Sequence, residues 1–174
     1  MNSNKSYTKL TGTKRVDHEK GNHLHSDLAP VEPGVCKMCG AIYVDRRWTI
    51  DAANPMSLEH QRWGKTQIVT CPACKQQKDS IISGYVHLNG SFFEEHHKEI
   101  ESLLTNESER AAQNNPLARI IKWEKGNGHK LTISTTTAHL AQRLGHALEK
   151  AYCGEVRYDF SHENKFARVW WNRD

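Results

Sequence analysis

The sequence predicts the α+β fold class, with a small cysteine-rich module followed by a larger sheet that carries helices on one face. Two observations lead to this prediction. Two C-x-x-C pairs occur in the first half of the chain, at Cys36/Cys39 and at Cys71/Cys74. From residue 81 onward, stretches of alternating apolar residues, typical of strands, are separated by stretches with apolar residues at helical spacing. We therefore expect domain boundaries near residues 35 and 80.

Residues 1–35 are predicted to form a disordered polar tail. Lys, Asn, Ser and Thr dominate this segment, it has no apolar period, and Pro30 and Pro33 close it. His23 and His25 could supply additional metal ligands, but in such a composition they are more simply explained as solvated side chains.

The four cysteines predict a metal site. Four thiolates are the ligand set that Zn²⁺ takes in a closed tetrahedral structural site. Gly40 after the first pair and Pro72 inside the second suit the tight turns of such a site. Two disulfides are the alternative, but they need an oxidising compartment. A thiol-redox centre would use one C-x-x-C rather than two. We therefore expect residues 36–80 to form a zinc-ribbon-like module with one structural Zn²⁺, held by Cys36, Cys39, Cys71 and Cys74.

The rest of this module is predicted to consist of two short strands and the loop between them. The strands are Ile42–Val44 and Ile68–Val69, and Lys75–Lys78 is explained as a solvated turn. The loop combines basic and aromatic side chains that suit phosphate contact and base stacking: Arg46, Arg47, Trp48, Arg62, Trp63 and Lys65. Equally, the two tryptophans could form the small core of the module.

Residues 81–174 are predicted to form an α+β domain. Gly84–Leu88 alternates as a strand, and Ser91 with Glu94 forms a capping box for a helix that ends near Asn106. Strands 117–123 and 130–134 follow, joined by the turn Gly126-Asn127-Gly128. Thr136 or Thr137 then caps a second helix, whose buried stripe is Leu140, Ala141, Leu144, Leu148 and Ala151. Strands 155–160 and 166–171 end the domain. This order, βαββαβ plus one strand, is that of a ferredoxin-like sheet with two helices on one face. Cys153, at the end of the second helix, is expected to be a small packing residue.

The face of this sheet without helices can be predicted from the alternation of side chains. If Val86 and Leu88 point toward the helices, the opposite face carries Tyr85 and His87. The last strand offers two choices, with either Phe166, Arg168 and Trp170 or Ala167, Val169 and Trp171 on the open face. The first choice gives an aromatic and basic surface able to stack unpaired bases: Tyr85, His87, Arg157, Arg168 and Trp170. The alternative is ordinary packing at a sheet edge, and the aromatic signature of an RNA-recognition strand is missing from Lys130–Ser134.

The charge distribution permits nucleic-acid binding without demonstrating it. The net charge is +4; residues 36–80 and 116–174 are basic, and residues 81–115, with two basic and six acidic side chains, are acidic. The start of the sequence lacks an apolar signal segment, and no apolar run reaches the length of a membrane span. We therefore expect a cytoplasmic protein without a membrane partner. No nucleophile–base pair, phosphate-binding glycine loop or catalytic carboxylate pair is recognisable, so we expect no enzymatic activity.

Several segments together resemble an uncharacterised family of bacterial four-cysteine zinc proteins. They are Cys36–Tyr43, Arg47-Trp48, Cys71–Asp79, Asn115–Ile120 and Thr135–Leu148. Lys75, Lys78 and Asn115 depart from the family pattern, which has Arg, Arg and His there. A more distant similarity is to the N-terminal zinc region of the large-ribosomal-subunit nuclear export adaptor, whose cysteine knuckles also precede a glycine-tyrosine strand. That similarity implies a role on the large ribosomal subunit.

The sequence as a whole leads us to expect a non-enzymatic zinc protein that binds RNA. The residues expected to contact RNA are Arg46, Arg47, Trp48, Arg62, Lys65, Arg157, Arg168 and Trp170. One alternative is a zinc-stabilised protein–protein adaptor in which the basic surfaces are incidental. Another is a metal-dependent hydrolase that uses one of the histidines.

Overall fold

The computed structural model describes residues 30, 32–50, 66–126, 130–161, 163 and 165–174, and these form a mixed α+β structure with two sheets. The prediction of the α+β class is therefore confirmed. The strands are β1 (Gly34–Cys36), β2 (Ile42–Val44), β3 (Arg47–Thr49), β4 (Gln67–Val69), β5 (Gly84–Asn89), β6 (Ile120–Lys125), β7 (Lys130–Thr135), β8 (Glu155–Ser161) and β9 (Phe166–Asn172). The helices are α1 (Pro72–Asp79), α2 (Ser91–Glu95), α3 (His97–Asn114) and α4 (Ala138–Tyr152).

The smaller sheet holds the first two cysteines and has the strand order β3-β2-β1-β4. Strand β1 pairs antiparallel with β2 and parallel with β4, and it begins at Gly34, inside the segment predicted to be a disordered tail. Asp45 and Arg46 form a two-residue hairpin turn with φ values of 50° and 59°, as in the turns that match the twist of paired strands. This turn places Arg47 and Trp48 on β3 and not in the loop that the sequence predicted.

Residues 72–79 form a helix, so the prediction of a solvated turn at Lys75–Lys78 is wrong. Cys71 is the N-cap and Pro72 takes the first helical position, where its missing N–H costs nothing. Helix α1 has a buried side on which Gln76 is only 9% exposed. The polarity of Lys75–Lys78 is compatible with a turn, but the Cys71 cap and Pro72 at the first helical position start a helix there.

The larger sheet has the strand order β6-β7-β5-β9-β8. The elements follow one another along the chain as predicted, but the extra strand lies inside the sheet. Strand β9 pairs parallel with β5 and antiparallel with β8, and it therefore separates the first strand from the strand that follows α4. A simple ferredoxin-like sheet would place those two strands side by side. Inserting β9 gives the sheet one parallel pair and a fifth strand near its centre.

The first helical segment of the larger domain is longer than predicted and is interrupted. Gly90, not Ser91, is the N-cap of α2. Residue 90 has no room for a side chain, because a Cβ atom there would lie 1.9 Å from the Arg173 carbonyl oxygen. Helices α2 and α3 meet at His96, which has φ −112° and ψ 18°. Helix α3 continues to Asn114, beyond the predicted end near Asn106, because Ala111 is buried on it and Glu107 bonds Arg143 of α4.

Helix α4 begins where the sequence predicts, with the Thr137 hydroxyl accepting a hydrogen bond from the Leu140 N–H at 3.2 Å. It packs on the larger sheet and on α3. Its predicted stripe is buried from Leu140 to Leu148, whereas Ala151, in the final turn, is exposed. Cys153 caps the helix and is also exposed, so it is not the packing residue that the sequence predicted. The core between the larger sheet and its helices contains Val86, Leu88, Ile100, Leu104, Leu131, Ile133, Leu140, Leu144, Leu148, Val169 and Trp171.

Candidate metal centre and aromatic sheet face

The four predicted ligands lie together in the smaller sheet and at the start of α1. The sulfur atoms of Cys36, Cys39, Cys71 and Cys74 all lie within 4.8 Å of one another, and the Sγ atoms of Cys39 and Cys71 are 3.6 Å apart. A disulfide would require about 2.05 Å. A Zn–S bond of about 2.3 Å in tetrahedral geometry separates neighbouring sulfur atoms by about 3.8 Å. The four cysteines are therefore free thiols at a spacing that could hold a metal ion such as Zn²⁺.

Backbone N–H groups around this centre point at the sulfur atoms. Gly40, with φ 73°, donates its N–H to the Cys36 carbonyl at 2.9 Å and closes the turn of the first cysteine pair. The Cys71 N–H donates to Cys36 Sγ at 3.3 Å, and the Cys74 N–H donates to Cys71 Sγ at 3.4 Å. Such donors favour the charged thiolate form, which is the form that binds metal.

The pKa values of the thiols differ within this cluster, because burial opposes ionisation and N–H donors favour it. Burial opposes ionisation of Cys36, but the N–H groups of Cys71, Met38 and Cys39 outweigh it and lower its pKa to about 6. Burial raises the pKa of Cys71 well above its ordinary value, and repulsion from the neighbouring cysteines adds to the increase. Burial likewise raises the pKa of Cys74 to about 11. A divalent cation would offset the charge of the thiolates, and a set of four sulfur donors fits such an ion.

Arg119 is a charged neighbour of this centre that the sequence analysis did not identify. Its Nη1 lies 3.9 Å from Cys74 Sγ, and its Nε donates to the Pro116 carbonyl at 2.8 Å. Burial opposes the charge of Arg119, but the hydrogen bond to Cys39 and the surrounding thiols raise its pKa. Arg119 is 45 residues from Cys74 in sequence. The one sequence feature that could have indicated this role is the position of Arg119 in Asn115–Ile120, one of the segments that resemble the bacterial zinc proteins.

Contacts across residue 80 join the cysteine cluster and α1 to the larger sheet. Gln76 Nε2 donates to the Thr136 carbonyl at 3.1 Å, and Gln77 Nε2 donates to the Ile120 carbonyl at 3.1 Å. The Thr136 hydroxyl donates to the Leu117 carbonyl at 2.6 Å, and the Leu117 side chain packs against the cysteine cluster. The boundary at residue 80 stays a prediction, and these contacts join residues on its two sides.

The open face of the larger sheet carries a row of stacked rings. Val86 and Leu88 are buried, as are Ala167, Val169 and Trp171, so the first of the two predicted arrangements of the last strand is the one observed. The His87 ring stacks with Tyr85 and with Trp170, with the ring centres 5.7 Å apart in both pairs. Phe166, which was not among the predicted site residues, meets Tyr85 edge-on at 5.8 Å.

Two arginines lie over this row of rings. The guanidinium carbon of Arg157 is 4.3 Å from the centre of the Trp170 ring, and that of Arg168 is 5.0 Å from the centre of the Phe166 ring. Arg168 also faces Asp159, with Nη1 3.8 Å from Oδ2. We call the set Tyr85, His87, Arg157, Phe166, Arg168 and Trp170 the aromatic face.

His87 is the titratable ring at the centre of the aromatic face. Its Nδ1 lies 3.1 Å from the Thr132 hydroxyl oxygen on the neighbouring strand. Burial lowers its pKa below the ordinary value of 6.5, and the positive charge of Arg168 lowers it further. Above that pKa, His87 is a neutral ring between two aromatic neighbours.

The predicted RNA-contacting residues fall into three groups. Arg157, Arg168 and Trp170 come together on the aromatic face. Arg47 and Trp48 lie on β3 of the smaller sheet, and Arg46 lies in the turn that precedes it. Trp48 packs against the cysteine cluster and lies 5.2 Å from Tyr43 between ring centres, as expected if it serves as module core. Arg62 and Lys65 lie outside the described residues, as do Trp63, His23 and His25.

Comparisons with protein-family models, curated proteins and solved structures found no match to this chain. The resemblance to the bacterial zinc proteins and to the export adaptor therefore stays a prediction. Within the described parts of the chain, no helix has the length and apolar character needed to cross a membrane.

Proposed function

We propose that this chain is a non-enzymatic Zn²⁺-binding protein that binds single-stranded RNA on the aromatic face. The observation that carries the proposal is the stacked row Tyr85–His87–Trp170 with the guanidinium of Arg157 over its outer ring. Following the resemblance, we propose the large ribosomal subunit as the RNA-containing partner.

The chemistry of unpaired RNA supports this choice. Unstacked bases bind to aromatic rings on an open sheet, and each stacked base contributes roughly 1–3 kcal/mol. Arginine supplies both a planar cation for stacking and hydrogen bonds to phosphate. The aromatic face offers rings on β5 and β9 and arginines on β8 and β9, and its partly exposed side chains lie opposite the face covered by α4.

The proposed role of the zinc is structural. Sites with four cysteine ligands leave no position open for substrate or water, whereas catalytic zinc sites keep one. All four sulfur atoms converge on one point, and three of the four residues are buried. Zinc bound here would stabilise the smaller sheet, because metal binding contributes folding energy to small modules of this kind.

A protein–protein adaptor is the second candidate. It is favoured by exposed apolar side chains in and beside the smaller sheet, of which Met38 is 57% exposed and Ile68 is 60% exposed. The two candidates differ in salt dependence, since phosphate contacts give an affinity that falls steeply as salt rises.

RNA binding can be tested with fluorescent single-stranded oligoribonucleotides and a duplex of the same sequence. We expect the protein to prefer the single strand and the Trp170→Ala variant to bind about 10-fold more weakly, from the loss of one stacked base. Trp170→Phe should retain most of the affinity because it keeps a ring. Ile68→Ala, on the other sheet, is the matched control and should bind as the unmodified protein does. Equal affinity of Trp170→Ala and the unmodified protein would contradict the proposal.

The ribosomal part of the proposal needs a separate measurement. Cosedimentation of the purified protein with isolated large ribosomal subunits, at several salt concentrations, should be lost in Trp170→Ala. Binding to subunits that is indifferent to both salt and Trp170 would favour the adaptor instead.

A further inference from the structure

We propose that Arg119 is a positioning residue of the metal centre, which partly neutralises the cysteine thiolates and fixes the centre to the larger sheet. Metal binding at the cysteines and the order of residues 116–120 are then coupled. This inference goes beyond RNA binding and does not depend on it. It concerns how a neighbouring side chain supports the Zn²⁺ that the four cysteines would hold.

The charge of the centre is the first reason for this role. A divalent ion with four thiolates has a net charge of −2, which is costly to bury. Arg119 brings a permanent positive charge to the cluster, with Nη1 3.9 Å from Cys74 Sγ. N–H donors to metal-bound sulfur are a means by which a protein adjusts metal affinity, because they stabilise the thiolate without displacing it.

The second reason is that the side chain and backbone of Arg119 are held in place. Its Nε donates to the Pro116 carbonyl at 2.8 Å, which directs the guanidinium, and its backbone N–H donates to the Thr136 hydroxyl at 2.8 Å. The Thr136 N–H donates back to the Arg119 carbonyl at 2.9 Å. Thr136 in turn links strand β7 to α4, so the larger domain sets the position of the guanidinium.

The third reason is that the same segment closes the centre from one side. The Leu117 side chain packs on the cysteine cluster, and Gln76 and Gln77 of α1 bond to carbonyl groups of Thr136 and Ile120. Cys71 is the N-cap of α1, so a shift of the cysteines on loss of metal would pull these hydrogen bonds apart. The metal centre and the start of β6 therefore form one cooperative unit.

The first test measures metal retention in full-length variants. Arg119→Met removes the charge but retains much of the side-chain length, and Arg119→Lys keeps the charge without the Nε contact. Arg143→Met is the matched control, because Arg143 is also partly buried but bonds to Glu107 on α3. We expect Arg119→Met to bind zinc about 10–100-fold more weakly in competition with a chromogenic chelator, as for other residues that support metal ligands. Arg119→Lys should fall between, and Arg143→Met should match the unmodified protein.

A general loss of stability must be distinguished from an effect on the centre. The absorption spectrum of the Co²⁺-loaded protein reports the thiolate ligand field, and it should shift in Arg119→Met but not in Arg143→Met. Zinc affinity within about twofold of the unmodified protein together with an unchanged cobalt spectrum would overturn the proposal.

The second test uses the unmodified protein and so does not depend on the folding of any variant. Hydrogen exchange is measured with zinc bound and after chelation, at the amides of Ala118, Arg119 and Thr136. We expect these amides to lose protection on chelation while those of Val86 and Leu144, in the core of the larger domain, keep it. Unchanged protection at residues 118–119 after metal removal would show that the centre and this segment are independent.

Discussion

Arg157 holds its guanidinium carbon 4.3 Å from the centre of the Trp170 ring, across the pair of residues that face each other on β8 and β9. This cation–π contact keeps the long arginine side chain extended over the sheet, where it would otherwise sample many rotamers in water. The His87 ring stacks with the same indole, with the two ring centres 5.7 Å apart. The arginine, the indole and the imidazole therefore form one ordered surface.

The first prediction concerns the charge of this surface. Arg157→Gln should lower the slope of log K against log salt for RNA binding by about one, because one phosphate contact is lost. Arg110→Gln is the control, since Arg110 lies 69% exposed on α3, away from the aromatic face. Binding titrations at several salt concentrations measure both slopes. An equal change in the two variants would mean that only net charge matters.

The second prediction concerns the metal ligands. The purified, reduced protein should contain one zinc per chain, and Cys71→Ser should lose it, because serine can still cap α1 but supplies no thiolate to the cysteine cluster. Cys153→Ser should retain the full metal content, because Cys153 is exposed at the end of α4. Elemental analysis of both variants gives the answer. Zinc retained by Cys71→Ser, or missing from the unmodified protein, would refute the assignment.

The third prediction is a pH dependence that arises from His87. Burial and Arg168 lower its pKa in the folded protein, so the unfolded chain takes up the proton first as the pH falls. The stabilisation is therefore complete above pH 6.5, the ordinary value, and is lost as the pH falls from there toward the folded pKa. His87→Phe keeps a ring in the stack but does not titrate. The unmodified protein should lose more of its free energy of unfolding between pH 7.5 and 5.5 than the variant does, and identical losses would exclude His87 as the source.

The fourth prediction concerns Thr136, which is 2% exposed. Thr136→Val retains the shape but removes the hydroxyl that accepts from the Arg119 N–H and donates to the Leu117 carbonyl. Leaving these buried groups unpaired should cost about 1–3 kcal/mol in the free energy of unfolding. Thr105→Val, at an exposed position of α3, is the matched control and should change it little. Urea denaturation of the zinc-loaded proteins makes the comparison, and equal midpoints would rule out this role for the hydroxyl.

Local patterns in the sequence were sufficient to bring the cysteine ligands together, whereas for the aromatic face they left two arrangements of β9 open, and the burial of Ala167, Val169 and Trp171 decided between them. A C-x-x-C pair closes within one turn, so spacing alone identifies ligands that the fold then brings together. Alternation along β5 and β9 separates Val86 from His87 and Val169 from Trp170, because successive side chains of a strand point to opposite faces. Both inferences rest on interactions within a few residues of the chain.

Long-range pairing could not be predicted in the same way. Nothing near residue 166 indicates that β9 pairs with β5, because that choice depends on which buried faces fit together. Arg119 was missed for the same reason, since its role arises from the approach of β6 to a centre formed by distant residues. The turn at Asp45-Arg46 and the helix at Pro72 are stabilised by local interactions but were not predicted, because their polar residues are also common in irregular loops.

The central position of β9 has a consequence for biosynthesis. Strand β5 pairs with β9 along one of its edges, and residue 86 lies opposite residue 169. The ribosome therefore synthesises β9 long after β5. During translation, at about 5–20 residues per second, β5 must wait several seconds for this partner to leave the exit tunnel. Contacts of such long sequence separation also slow folding itself. The smaller sheet, whose four strands and four cysteines lie within residues 34–74, can form earlier, while the larger sheet is still incomplete.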